Sequence, residues 1–334
     1  MLFPVFILFN VGALALALLV DKPYILPWER VVGVCGVGLF TIIGIWIYRA
    51  SRRDPHTNFN LIRRKLLASR GACLGLVVVV ATCYLAILAP MLAPYSPYEL
   101  DFMSLSQAPS AKHWFGTDEM GRDVLSRVMY GSREALAVGV AAVSLNIFLG
   151  VTLGMIAGYF GGKVDNVIMR GIEIYSSIPF VLMAIALIAA LGASTLNLII
   201  VVGITGLMDF TRIVRSAVIG EKNQEYVEAA KAVGVRDGVI IVRHILPNCL
   251  APVIVLTTLR IGSTILTVAG LSYLGLGTQP PNPSWGVMLN RGQEYLAISP
   301  WMALFPGLAI VITVMAFNLL GDGFRDALDP KLVR

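Results

Sequence analysis

The chain has 334 residues, of which 57% are hydrophobic and only 14% charged, and its mean hydropathy is +0.78. A soluble domain averages about 45–50% apolar and about 25% charged residues, so these values exclude a disordered chain, a nucleic-acid-binding tail and an ordinary soluble enzyme. The net charge of +6 does not point to nucleic acid either, because the basic residues stand between apolar runs rather than along one polar face.

A bilayer-spanning helix needs about 20 mostly apolar residues. The first two candidates, 2–20 and 31–48, form an N-terminal hairpin (1–48). No basic residue precedes Asp21, so an uncleaved anchor is expected here rather than a signal peptide. A polar linker, 49–70, carries seven Lys or Arg residues and separates the hairpin from the remaining 71–334. Further candidates are 71–93 and 135–160, with an outer loop (95–133) between them. The stretch 174–208 has no charge and is too long for one span. Leu191-Gly192-Ala193-Ser194-Thr195 is expected to divide it into two helices. Candidates at 250–271 and 297–320 complete eight spans, which makes an all-α membrane protein.

Lys and Arg placement sets the orientation. Segments 49–70, 161–170, 212–243 and 321–334 hold 18 basic residues, against 7 in 21–30, 95–133 and 275–299. Both termini are therefore expected in the cytoplasm. Within the fourth span Gly150, Gly154 and Gly158, with Gly162 just beyond, recur every four residues. That spacing lines one helix face and suits tight helix packing. Arg260 is the one charge well inside a span, where it faces a pathway, belongs to a buried ion pair or meets a partner subunit. Asp209, Arg212 and Arg215 are expected at a cytoplasmic span end.

Several chemistries lack their residues. The four cysteines form no CxxC pair and the three histidines no cluster, so neither a disulfide framework nor a metal site is expected. No P-loop, HExxH or GxSxG is present, and no catalytic residue can be named. An intramembrane enzyme has no candidate catalytic pair.

The most informative segment is 221–248. It is too polar to span, and its helix formers up to Val233 are followed by Gly234 and then by a second short segment that ends at Pro247. This predicts a helix-turn-helix elbow at the membrane surface, with a flat patch at Ala229 and Ala230 framed by Glu225, Glu228, Lys231 and Arg236. The run Glu228-Ala229-Ala230, then Gly234, then His244 with Leu246 and Pro247, resembles the EAA loop of ABC importer permeases. His113–Gly131, with Phe115, Gly116, Thr117, Asp118, Gly121, Arg122 and Asp123, resembles the FGTDxxGRD signature of the dipeptide/oligopeptide/nickel group. Phe317–Leu332 resembles the C-terminal signature of that group, and Trp285-Gly286 and Phe305-Pro306-Gly307 also fit.

The resemblance covers 70–334 and is most similar to the second permease subunit of the pair. It implies a six-helix type I ABC importer core, to which the N-terminal hairpin is extra. It also implies that Glu228, Ala229, Ala230 and Gly234 couple the core to an ATPase. Implied partners are a second permease in a heterodimer, two ATPase subunits that use ATP and Mg, an extracytoplasmic substrate-binding protein and the lipid bilayer; this chain itself binds no cofactor. The outer-loop residues either fold the loop or touch the binding protein. The implied substrate is a peptide, with nickel or another metal chelate as the alternative. A channel or secondary transporter is the reading from a different class. Val268, and Leu207 or Met208, depart from the residues common in the group.

Overall fold

The computed structural model describes residues 58–328 and eight earlier positions, Ala13, Lys22, Glu29, 33–35, Val37 and Ile42. The expected spans 2–20 and 31–48 otherwise lie outside the described residues. So do linker positions 49–57 and residues 329–334 of the C-terminal signature.

Among the described residues the chain is helical: α1 (Asn58–Ala68), α2 (Arg70–Leu92), α3 (Val124–Phe160), α4 (Gly162–Ser176), α5 (Phe180–Leu191), α6 (Thr195–Thr205), α7 (Leu207–Glu221), α8 (Glu225–Ala232), α9 (Asp237–Tyr273), α10 (Trp285–Glu294) and α11 (Trp301–Leu328). Helices α2, α3, α9 and α11, and α6 with α7 as one 27-residue stretch, are long and apolar enough to cross a bilayer. Helices α4 and α5 add a sixth span if counted together across their 86° bend.

Several boundaries differ from the sequence expectation, each for a local reason. The linker is helical from Asn58 onward, because Leu66 packs on Leu320 and Phe324. Helix α3 starts at Val124 rather than at 135. Asp123 caps it by accepting the Ser126 N–H (2.8 Å), so the outer loop ends there. Segment 161–170 is the first half of α4 rather than a loop. The break at Gly192 exists, since Gly192 ends α5 and Ser194 caps α6. Yet α5 has 12 residues and is too short to span alone.

The helix that begins at Thr195 runs on to Glu221, so Asp209, Arg212 and Arg215 sit within it and not at its end. Two charges on that stretch are neutralised by partners. Arg215 forks onto Asp165 at 2.5 Å, and Asp209 pairs with Arg260. The second half of the elbow is also not a separate helix. Residues Ile240–Ile245 take a π-helical turn and Leu246–Cys249 a 3-10 turn, which carry the chain past Pro247 into the α-helical remainder of α9. Proline lacks an N–H and clashes with the carbonyl four residues back, and a local change of hydrogen-bond register relieves both. Helix α11 starts at Trp301, after Pro300, rather than at 297.

The bundle has two functional ends. One joins the close of α3 and α7 to α8 and the start of α9 around Val214, Val218, Val227, Ile240 and Ile245. The other joins the outer loop to the start of α3, the residues after α9 and the start of α11.

Candidate functional site

The elbow follows from a few residues. Glu225 and Glu228 stand in the first turn of α8 and Lys231 in its last, which suits the helix dipole. Gly234 ends the helix at φ +80, where Gly234 N–H donates to Lys231 O (2.9 Å) and Val235 N–H to Ala230 O (3.1 Å). Nothing lies within 4 Å of where a Cβ would stand at Gly234, so this glycine is required for its backbone conformation and not for space.

One residue of α8, Val227, is fully buried, and it packs against Phe210, Val214 and Val218 of α7. Glu228 and Ala229 are exposed, while Ala230 is half-buried against the same cluster. Val233 (84% exposed), Val239 and Val242 add uncovered apolar surface. His244 and Leu246 are half-buried and Pro247 is exposed, all within the π and 3-10 turns; His244 Nδ1 is buried without a hydrogen-bond partner among the described residues.

Sequence reasoning missed the side chains that hold this elbow. Tyr159, at the end of α3, donates its hydroxyl to Asp237 (2.5 Å), and its ring lies 5.2 Å beneath the Lys231 ammonium. Lys222 Nζ donates to Gly158 O at 3.0 Å. Tyr226 donates to Glu221 (2.6 Å) and accepts from Asn248 Nδ2 (3.0 Å). Burial, and then the Glu221 carboxylate, push the Tyr226 pKa up, so the hydroxyl keeps its proton and the bond. The elbow is thereby fastened to the ends of α3, α7 and α9 at once. A tyrosine at a helix end followed by a distant aspartate carries no local signal of such a pairing.

The outer-loop residues are turned inward. Thr117, Asp118, Arg122 and Asp123 are all buried. Asp118 accepts from Arg122 Nε (2.6 Å) and from the Met120 and Arg122 amides (2.9 Å each). Thr117 Oγ1 donates to Ser104 O and its carbonyl accepts from Trp301 Nε1 at 3.1 Å. Gly116 and Gly121 turn the chain, with φ +74 at each. Phe115 stacks on Phe305 with centroids 3.8 Å apart. Asp123 accepts from His113 Nδ1 (3.0 Å) besides capping α3. These bonds build a cradle in which Asp118, Arg122, Asp123 and Thr117 find partners, while His113 Nε2 is buried without a hydrogen-bond partner among the described residues. Asp123→Ala removes the cap and strands His113, so it is expected to lower stability by about 2 kcal/mol. Thermal unfolding of the detergent-purified chain checks this, with Asp123→Asn intermediate.

The glycine stripe lies against α7. A Cβ on Gly150 would stand 2.5 Å from Phe210 Cβ, one on Gly154 would stand 2.7 Å from Thr211 O, and one on Gly158 would stand 2.7 Å from Val218 Cβ. Gly162 is not part of the stripe, because α3 has ended before it and nothing lies within 4 Å of it. Arg260 of α9 pairs with Asp209 of α7, a partner that the sequence reading had placed at a span end.

The chain is similar to known proteins along most of its length. Residues 150–334 match the family described as binding-protein-dependent transport system inner membrane component, and residues 57–109 match the N-terminal TM domain of oligopeptide transport permease C. The dipeptide transport system permease protein of Alkalihalophilus pseudofirmus is 45% identical over 269 residues, covering 80% of this chain and 88% of its own length. A glutathione transport system permease protein of Escherichia coli is 44% identical over 282 residues, covering 84% and 92%. A chain of the inward-facing MetNI methionine ABC transporter aligns with a TM-score of 0.49 at 19% identity, over 62% of this chain and 96% of its own. With one family spanning more than half of its residues and relatives this similar along most of their length, the chain belongs to the binding-protein-dependent transport system inner membrane components.

Proposed function

We propose that the chain is one of two different permease subunits of an ATP-driven importer that carries peptides across the cytoplasmic membrane. Family membership makes it a multi-pass inner-membrane component of a transport system served by a binding protein. The peptide substrate is supported by the dipeptide and glutathione permeases among its relatives.

The observation that carries the coupling role is the elbow. It offers an exposed Glu228-Ala229 face and uncovered Val233, while Tyr159, Lys222 and Asn248 fasten it to three spans. A surface so fastened passes a push from a docked ATPase to α3, α7 and α9 together, which is what a two-state transport cycle requires. In this reading ATP and Mg belong to two separate ATPase subunits, and the chain itself binds no cofactor and catalyses nothing. The elbow end and both termini face the cytoplasm, as the basic-residue bias suggests. Residues 1–48 form an anchoring hairpin, 49–70 a basic cytoplasmic linker and 71–334 the permease core. The outer cradle sits at the opposite end and gives the binding protein a preformed surface.

The test is co-expression with the neighbouring permease and ATPase genes, followed by purification and uptake into proteoliposomes. Co-purification of both partners and ATP-dependent peptide uptake are expected. Failure of the ATPase to co-purify would favour a channel or secondary carrier. Uptake of a nickel chelate but no peptide would replace the substrate and leave the coupling role intact.

A further inference from the structure

We propose that the cleft around Asp209 and Arg260 is a transit site for a zwitterion, in which the substrate's own carboxylate and ammonium groups replace each protein charge as the partner of the other. The proposal rests on the importer reading above and specifies what the pathway recognises. The cleft, of about 250 Å³, lies among α3, α6, α7 and α9, with Asn146, Asp209 and Arg260 in its lining. Arg260 is 13 residues before the end of α9 at Tyr273, or about 20 Å along the helix. The pair therefore lies in the interior of α7 and α9 rather than at their ends.

Three features single this cleft out. First, an ion pair in the interior of two such helices is costly and is seldom kept for stability, because apolar residues of similar size usually serve as well. Both side chains remain 36% exposed in the single chain instead of being sealed by its own packing. Second, Asn146 is 2% exposed and donates Nδ2 to Ala142 O (3.0 Å), but its Oδ1 has no partner among the described residues. A buried amide oxygen without a donor is expensive, and this one belongs to a residue of the cleft wall. Third, Ser263 and Thr267 line the same wall, and each hydroxyl donates to a carbonyl of its own helix, which leaves oxygen lone pairs free to accept.

A zwitterion brings one charge of each sign. Arg260 donates to its carboxylate, Asp209 accepts from its ammonium, and the net charge of the cleft stays zero throughout. A peptide blocked at one end leaves one protein charge without a partner, and the cleft rejects it. The site thus selects for free termini.

The experiment uses the complete reconstituted importer with its binding protein. It compares uptake of radiolabelled di-alanine with that of di-alanine amide in wild type, Arg260→Gln, and the double variant Asp209→Asn/Arg260→Gln. The double variant contains no lone charge, so it keeps the test open if the single variant fails to fold. Any preference of the binding protein is common to all three and cancels. Binding-protein-stimulated ATP hydrolysis is recorded in parallel as the assembly control for the double variant. Its uptake of free di-alanine is expected to fall, and its preference for the free over the amidated form to shrink by about tenfold, the effect of one charged hydrogen bond. Unchanged uptake and preference, or an equal loss for both peptides, would overturn the proposal and make the pair purely structural. Loss of stimulated hydrolysis in wild type would overturn the importer reading beneath it, which is a separate result.

Discussion

Glu228→Arg lowers binding-protein-stimulated ATP hydrolysis by the assembled importer about tenfold or more, since a reversed charge at an interface costs several kcal/mol. The chain itself stays folded. Glu228 is exposed, and it accepts no hydrogen bond and joins no ion pair among the described residues. The buried anchor of the elbow is its neighbour Val227. The whole effect therefore belongs to whatever docks on the elbow. Gly234→Pro reaches the same phenotype by another route. Proline cannot adopt φ +80, and it deletes the N–H that closes the turn onto Lys231. The elbow then loses its shape while the spans keep theirs. ATPase assays on the purified complex, with membrane insertion checked by detergent-resistant monodispersity, decide the matter. If both variants hydrolyse ATP like wild type, the elbow does not couple.

Gly154→Leu is expected to destabilise the permease by about 3 kcal/mol, at the upper end of overpacking costs. The added Cβ alone meets a backbone oxygen at 2.7 Å and Val214 Cβ at 2.8 Å, and neither neighbour is a flexible side-chain end. Helices α3 and α7 must separate, which would also loosen the Tyr159, Lys222 and Asp165 contacts at their shared end. Gly162→Leu, a few residues on, lacks that clash and serves as the control for insertion of a bulky residue, its cost being limited to the strain at φ +52. Melting curves in detergent should place Gly154→Leu well below both wild type and the control. Equal melting points would show that the stripe is not a packing seam.

The elbow's turn was legible because Gly234 declares a left-handed stop in one residue. The glycine seam was legible because a four-residue repeat of the smallest side chain marks a helix face, although not which helix fills it. The cap at Asp123 was hidden inside a polar stretch that read as loop. A short run of Ser, Arg and Tyr after Asp123 has low hydropathy, yet it forms the buried start of α3 because Ser126 and Arg127 find partners in Asp123 and Pro97. The partner of Asp209 was hidden for a similar reason. The Asp209 charge looks like a span end until Arg260, 51 residues later, neutralises it.

Composition, hydropathy and basic-residue bias thus determined that this is an all-helical membrane chain with an elbow between two of its spans, because burial in lipid constrains every residue along a span and leaves a mark in local sequence. What the tertiary structure decided was pairing: α7 in the glycine seam, Tyr159 on Asp237, Asp118 on Arg122 inside the cradle and Arg260 on Asp209. A pair of polar side chains has no periodicity to read, and its members are indifferent to one another until the fold removes water from between them.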